Sequence, residues 1–274
     1  MSSTPSHRVG TALSYHLSTY WDSRFATDPR EQHGFEWLSS TSSLLAHLPP
    51  TLLLRNPPIR ILHIGVGTSR LSLDIVRFWQ QHSPEDWKER ARNVVNVDFS
   101  QNSVDFQRRA EREFLQEAGE EGEEVLMEYN VLDLLDWEQV RAALGGELFD
   151  VVLDKSTTDS ISTGEDTAFQ SIVTSSDAYH PTLLQLSTQR KGKEVGVATT
   201  QLLGINLAAV VQKGGVWLCH SYSSARWEDV ILPKDAEGKE LWPWSEVSTT
   251  PVAVESSNPN APQVCHYTYT LQRT

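Results

Sequence analysis

Beyond Ile59, short apolar runs alternate with longer stretches in which apolar residues return at every third or fourth position. Runs of the first kind predict strands, and the second kind predicts helices packed by one face. Residues 59–64 give the first strand, and Leu71, Ile75, Phe78 and Trp79 mark the buried side of a helix that Ser83-Pro84 ends. Residues 93–98 give the second strand, after which Ser100 caps a helix running to about Ala118. A third strand at 125–130 leads to Asp136, which caps a short helix ending near Gly145-Gly146, and 148–153 is a central strand, apolar except for Asp150. Strand and helix in alternation predict a parallel sheet with helices on both faces. Between Thr157 and Thr200 the pattern fades into Ser, Thr, Asp and Gly, which reads as a loop-rich insertion at about 160–200. Leu202 to Val211 restore a helix, ended by Lys213-Gly214-Gly215, and 216–221 make a fifth strand. The alternation in 244–254 and 264–271 closes the chain as an antiparallel hairpin. Ahead of the sheet, Phe35, Trp37, Leu38, Leu44, Leu45 and Leu48 predict an amphipathic helix stopped by Pro49-Pro50.

The first strand enters Gly65-Val66-Gly67-Thr68-Ser69, where two glycines and a Ser/Thr pair precede the helix. Glycine there permits a tight turn and lets a ligand approach backbone N–H groups at the helix start. The motif has neither the third glycine of a dinucleotide fingerprint nor the ending of a P-loop. Asp98, closing the second strand, adds a carboxylate able to accept both hydroxyls of a ribose. Asp133 is either a helix cap or a ligand acceptor. Asp154-Lys155 stand at the carboxyl end of the central strand, the edge of an open α/β sheet where ligands bind. Cys219-His220 and Cys265-His266 resemble metal pairs, yet adjacent strand residues point to opposite faces, so both read as packing.

A chain of 274 residues with nine tryptophans can bury a substantial core. We read a flexible tail at 1–19 and a single domain over 20–274. A net charge of −13 argues against general binding to nucleic acid or anionic membrane and suits a basic partner. The absence of a long apolar run predicts no membrane span, and two cysteines suit a reducing compartment. A cytoplasmic location is expected. The acid-free first twenty residues make a mitochondrial one the second choice.

Several stretches resemble class I, seven-β-strand S-adenosylmethionine-dependent methyltransferases, in particular the lysine methyltransferases of elongation factor 1A and citrate synthase. Tyr20-Trp-Asp-Ser-Arg-Phe25 is similar to their YWxxRY opening, residues 61–69 to their LxLGCGNS turn, Val95-Asn-Val-Asp-Phe-Ser100 to a strand ending in D-x-S, and 149–159 to FDVVxDKGTLD. The chain departs at Val66, at Thr68 and at Ser156, where the family has cysteine, asparagine and glycine. The resemblance implies a Rossmann-like seven-stranded mixed sheet with a C-terminal antiparallel hairpin and S-adenosylmethionine as cofactor. It implies that Gly65, Gly67, Thr68 and Ser69 admit the methionine tail, with Arg24 on its carboxylate and Trp21 over it, though local packing explains those two equally. Asp98, with Phe99 and Ser100, would take the ribose, and Asp133 and Leu134 the adenine. Asp154 would hold an incoming lysine amine, while Lys155 pairs with Asp154 or Asp159 or serves the reaction. A lysine of a basic protein is the acceptor expected first. A small-molecule N-, O- or S-methyltransferase is the alternative, the insertion then being a lid. A nicotinamide-dependent oxidoreductase and a non-catalytic binding subunit are further readings.

Overall fold

β1 (Ile61–Ile64), β2 (Val94–Asp98) and β4 (Phe149–Lys155) are buried at every position, as befits strands covered on both faces. They pair in parallel with β1 in the middle. β3 (Glu128–Val131) extends the sheet beyond β2, and β7 (Val211–Ser221) extends it beyond β4, both in parallel. β9 (Cys265–Arg273) then runs antiparallel to β7, and β8 (Trp244–Ala253) antiparallel to β9 at the edge. The strand order β3-β2-β1-β4-β7-β9-β8 is the seven-stranded mixed sheet expected from the sequence. β5 (Thr167–Phe169) and β6 (Val195–Val197) form a separate antiparallel pair. This computed structural model describes residues 14–120, 124–169, 179–189, 195–228, 241–254, 258, 260 and 262–274.

Alternation along the strands splits the core in two. On one face Ile61, Val151 and Leu153 meet α4 (Leu71–His82) through Leu71, Ile75 and Trp79, α5 (Trp87–Ala91) through Trp87, and α6 (Gln101–Glu117) through Val104 and Leu115. On the other, Leu62, Ile64 and Val152 meet α7 (Trp137–Leu144) and α10 (Thr199–Val210) through Val140, Leu203 and Leu207. The predicted caps are present. Ser100 Oγ accepts from Ser103 N, and Asp136 Oδ1 from Gln139 N at 3.2 Å.

Some expectations change. The helix predicted over 35–48 is instead an irregular strap followed by two single turns, α2 (Ser42–Leu45) and α3 (Pro50–Leu53). Leu38 has a positive φ of 65°, and Pro49 is extended and opens α3 rather than ending a helix. β7 begins at Val211, directly after α10, because the Gly214-Gly215 pair makes a bulge within the strand rather than a turn before it. The insertion contains α8 (Thr157–Ile161), the β5–β6 pair and α9 (Pro181–Gln189); residues 170–178 and 190–194 of it lie outside the described residues. So do residues 1–13 of the expected tail, whereas Ser14–Leu17 form a turn leading into α1 (Ser18–Thr27).

Candidate active site

Gly65 and Gly67, between β1 and α4, adopt positive φ values of 54° and 50°. At Gly65 a side chain is excluded twice over, since a Cβ would also collide with Thr157 Oγ1. That threonine donates to Ile64 O at 2.9 Å and ties the turn to the end of β4. Asp98, 4 % exposed, stands behind the turn. Its Oδ2 accepts from Gly67 N at 2.9 Å and Ser103 Oγ at 3.0 Å, and its Oδ1 from Ser100 N at 2.9 Å. Burial raises its pKa against these donors. Three of about four acceptor positions on the carboxylate are therefore filled. One oxygen remains able to take a hydroxyl, where the sequence suggested two.

The strap crosses this turn and is held by two glutamates. Glu31, fully buried, accepts from Arg24 Nε at 2.7 Å and Thr68 Oγ1 at 2.6 Å. Glu36 accepts from Arg70 N at 2.7 Å and Ser69 Oγ at 2.9 Å, a carboxylate at the positive end of α4. It also pairs with Lys155 Nζ at 2.8 Å. α1 presents Trp21 and Phe25, four residues apart on one helix face, toward the strap residue Trp37 and the glycine turn. Asp22 anchors the helix by accepting from Ser100 Oγ at 2.5 Å.

Together these parts line a cavity, open on one side, at the carboxyl edge of the sheet. Its floor is the glycine turn, with Asp98, Phe99, Asp133 and Leu134 on one side and Lys155, Ser156 and Ser160 on the other. Its cover is aromatic, from Tyr15, Trp21, Phe25, Phe35 and Trp37. Asp133 uses Oδ1 on Leu135 N at 2.9 Å, and the helix cap is Asp136 instead.

Of the expected site residues, Trp21, Gly65, Gly67, Thr68, Ser69, Asp98, Phe99, Asp133, Leu134 and Lys155 line the cavity, whereas Arg24, Ser100 and Asp154 do not. Arg24 is committed to Glu31 and to Asp28 at 3.3 Å, and its guanidinium lies 4.6 Å from the centre of the Trp37 ring. Ser100 serves as helix cap. Asp154 is fully buried and faces the start of α8, accepting from Thr157 N at 2.9 Å, Thr158 N at 3.2 Å and the Thr158 hydroxyl. Burial pushes its pKa up to about 6. Lys155 pairs with neither Asp154 nor Asp159; its partner is Glu36, and burial lowers its pKa. Asp159 instead forms a buried ion pair with Arg226 at 2.5 Å and accepts from Ser221 Oγ.

Of the cover, sequence reasoning anticipated Trp21 and missed Tyr15, Phe25, Phe35 and Trp37, because these rings come from separate segments that only the fold brings together. It also missed His63, although a histidine inside an apolar strand was a visible anomaly. His63 lines the cavity, and burial holds its pKa down to about 3, so the ring is neutral. Ser156, at φ 74°, keeps a left-handed conformation although it is not glycine. His220 binds Ser39 Oγ and Thr268 Oγ1, both at 2.8 Å, and Cys219 is buried. Among the described residues no group of His, Cys, Asp and Glu is placed to hold a metal ion, and no helix is long and apolar enough to cross a membrane.

No protein-family model matches the chain. It is 25 % identical over 258 residues to methyltransferase srdJ of Neurospora crassa, covering 93 % of this chain and 82 % of that protein. Among solved structures, one described as the conversion of a disulfide bond into a thioacetal group during echinomycin biosynthesis superposes with a TM-score of 0.53 at 15 % identity, covering 94 % and 93 % of the two chains. The fold is that of class I S-adenosylmethionine-dependent methyltransferases. N-methyltransferase NodS of Bradyrhizobium japonicum, in complex with S-adenosylhomocysteine, gives a TM-score of 0.47 at 11 % identity over 94 % of this chain and 98 % of that one. Fold and methyltransferase relative together support a methyltransferase.

Proposed function

We propose that the chain transfers the methyl group of S-adenosylmethionine to a small, largely apolar molecule bound beneath the aromatic cover. The cofactor supplies a methyl group already activated on a sulfonium. The protein's part is to align the nucleophile with that methyl and to exclude water. The residues present fit the cofactor: Asp98 has an acceptor position left for ribose, Asp133 Oδ2 is without a hydrogen bond among the described residues, and the two glycines keep the turn open.

One observation carries the choice of acceptor. Asp154, the carboxylate assigned to a lysine amine, is sealed behind α8 with its oxygens engaged. The far end of the cavity is instead bounded by Tyr15, His16, Leu135, Ser160 and Ile161, a mostly apolar wall of the kind that binds small ligands. The structure described for echinomycin biosynthesis accords with this reading.

Incubating the protein with radiolabelled S-adenosylmethionine and an extract of its source cells, then separating macromolecules from small molecules, tests it. Label is expected in the small-molecule fraction and to vanish with Asp98→Ala. A labelled protein band that depends on Asp98 would restore the lysine acceptor and a basic protein partner.

A further inference from the structure

One wall of the cavity, under the strap, carries polar groups that the ribose, the adenine and the apolar end leave unused. His63 pairs with Leu153 across β1 and β4, and Lys155, two residues beyond Leu153, projects on the same face. The tautomer of His63 follows from its neighbours. Asn96 Nδ2 donates to Glu128 O at 3.4 Å, which leaves Oδ1 as an acceptor. Ser72 Oγ gives its only hydrogen to that Oδ1 at 2.6 Å, so toward His63 Nδ1, 2.8 Å away, it can only accept. Nδ1 therefore carries the proton. Nε2 is left with a lone pair on a side chain that lines the cavity.

Lys155 uses two of its three N–H donors, on Glu36 Oε2 at 2.8 Å and Trp37 O at 2.6 Å. Among the described residues the third has no partner, which leaves it for a ligand. Trp37 adds a buried Nε1 with no hydrogen-bond partner among the described residues. A buried cation, a neutral N–H donor and a fixed lone pair on one wall match an α-amino acid, whose carboxylate needs donors and whose ammonium needs an acceptor. Arg24, the carboxylate partner implied by resemblance, is outside the cavity.

We propose that Lys155 and His63 hold the methionine end of S-adenosylmethionine, the carboxylate on Lys155 Nζ and the ammonium on His63 Nε2. This assignment rests on the methyltransferase reading and makes both residues binding groups rather than catalysts.

Calorimetric titration of the full chain with three ligands tests it: S-adenosylhomocysteine, which has both charged groups; decarboxylated S-adenosylmethionine, which keeps only the amine; and methylthioadenosine, which has neither. Lys155→Met is expected to weaken S-adenosylhomocysteine about tenfold or more while sparing the other two. His63→Phe should weaken both amine-bearing ligands about tenfold and spare methylthioadenosine. Ser72→Ala, which keeps the histidine but releases its tautomer, should weaken the same two ligands about threefold, and it serves where a buried substitution prevents folding. Equal losses for all three ligands, or no loss for any, would overturn the assignment. Wild-type protein that binds none of the three would remove the methyltransferase reading itself, and the assignment with it.

Discussion

Asp98 and Ser156 show how a single residue can carry both fold and site. Asp98→Ala removes the acceptor for Gly67 N, Ser103 Oγ and Ser100 N together. A binding loss of at least about tenfold for S-adenosylhomocysteine is expected, read by calorimetry on the folded variant. Unchanged affinity would sink the ribose assignment. Ser156 holds φ 74° without being glycine, a strain of roughly 1–2 kcal/mol, against which glycine's greater unfolded entropy weighs about 0.5–1 kcal/mol. Ser156→Gly should therefore raise stability by about 0.5–1 kcal/mol, seen as a higher denaturation midpoint. The sequence made both positions visible, Asp98 by its place after the second strand and Ser156 by its departure from DKG. It could not reveal that Asp154 turns away from the cavity, because a strand-end carboxylate faces either the ligand or the next helix according to which N–H groups await it.

Among elements, the strap of residues 31–40 decides most about the site. It has little regular structure of its own and is held by carboxylates that reach the glycine turn. Arg24 and Glu31 form its inner clasp, the arginine side chain 14 % exposed and the glutamate fully buried. Removing one partner of such a pair leaves the other charge buried and costs about 3–5 kcal/mol. Arg24→Leu should lower the melting temperature by several degrees, while protein still folded keeps its affinity for S-adenosylhomocysteine within about twofold. A large selective loss of affinity without loss of stability would return Arg24 to the role that resemblance gave it. Apolar spacing alone made this segment look helical. The same spacing serves a strap whose rings point into a cavity, and only Leu38 at positive φ and the extended Pro49 distinguish the two outcomes.

For the whole molecule, buried imidazoles and carboxylates oppose each other as pH falls. Burial holds the pKa of His220 and of His180 at about 4 and that of His63 at about 3, all below the unfolded value near 6.5. As pH falls below 6.5 the unfolded chain gains protons at these rings that the native chain cannot, and stability drops. Asp154, raised to about 6, acts in the other sense between pH 6 and roughly 4, where the native state holds a proton that the unfolded state lacks. A single substitution isolates one term. His220→Gln can keep contacts to Ser39 and Thr268 without titrating, so its melting temperature relative to wild type should climb steadily from pH 6.5 to about 4. A difference that stays constant with pH would mean that His220 is not the neutral, buried ring described. Local pattern sufficed for the alternation of strand and helix, the caps at Ser100 and Asp136, the glycine turn and the terminal hairpin, since each depends on periodicity along the chain or on the conformational preference of a single residue. The tertiary structure alone decided the aromatic cover, the pairing of Lys155 with Glu36 and the proton position on His63. Those depend on side chains far apart in the chain, brought together by burial and by the hydrogen bonds that most buried polar groups require.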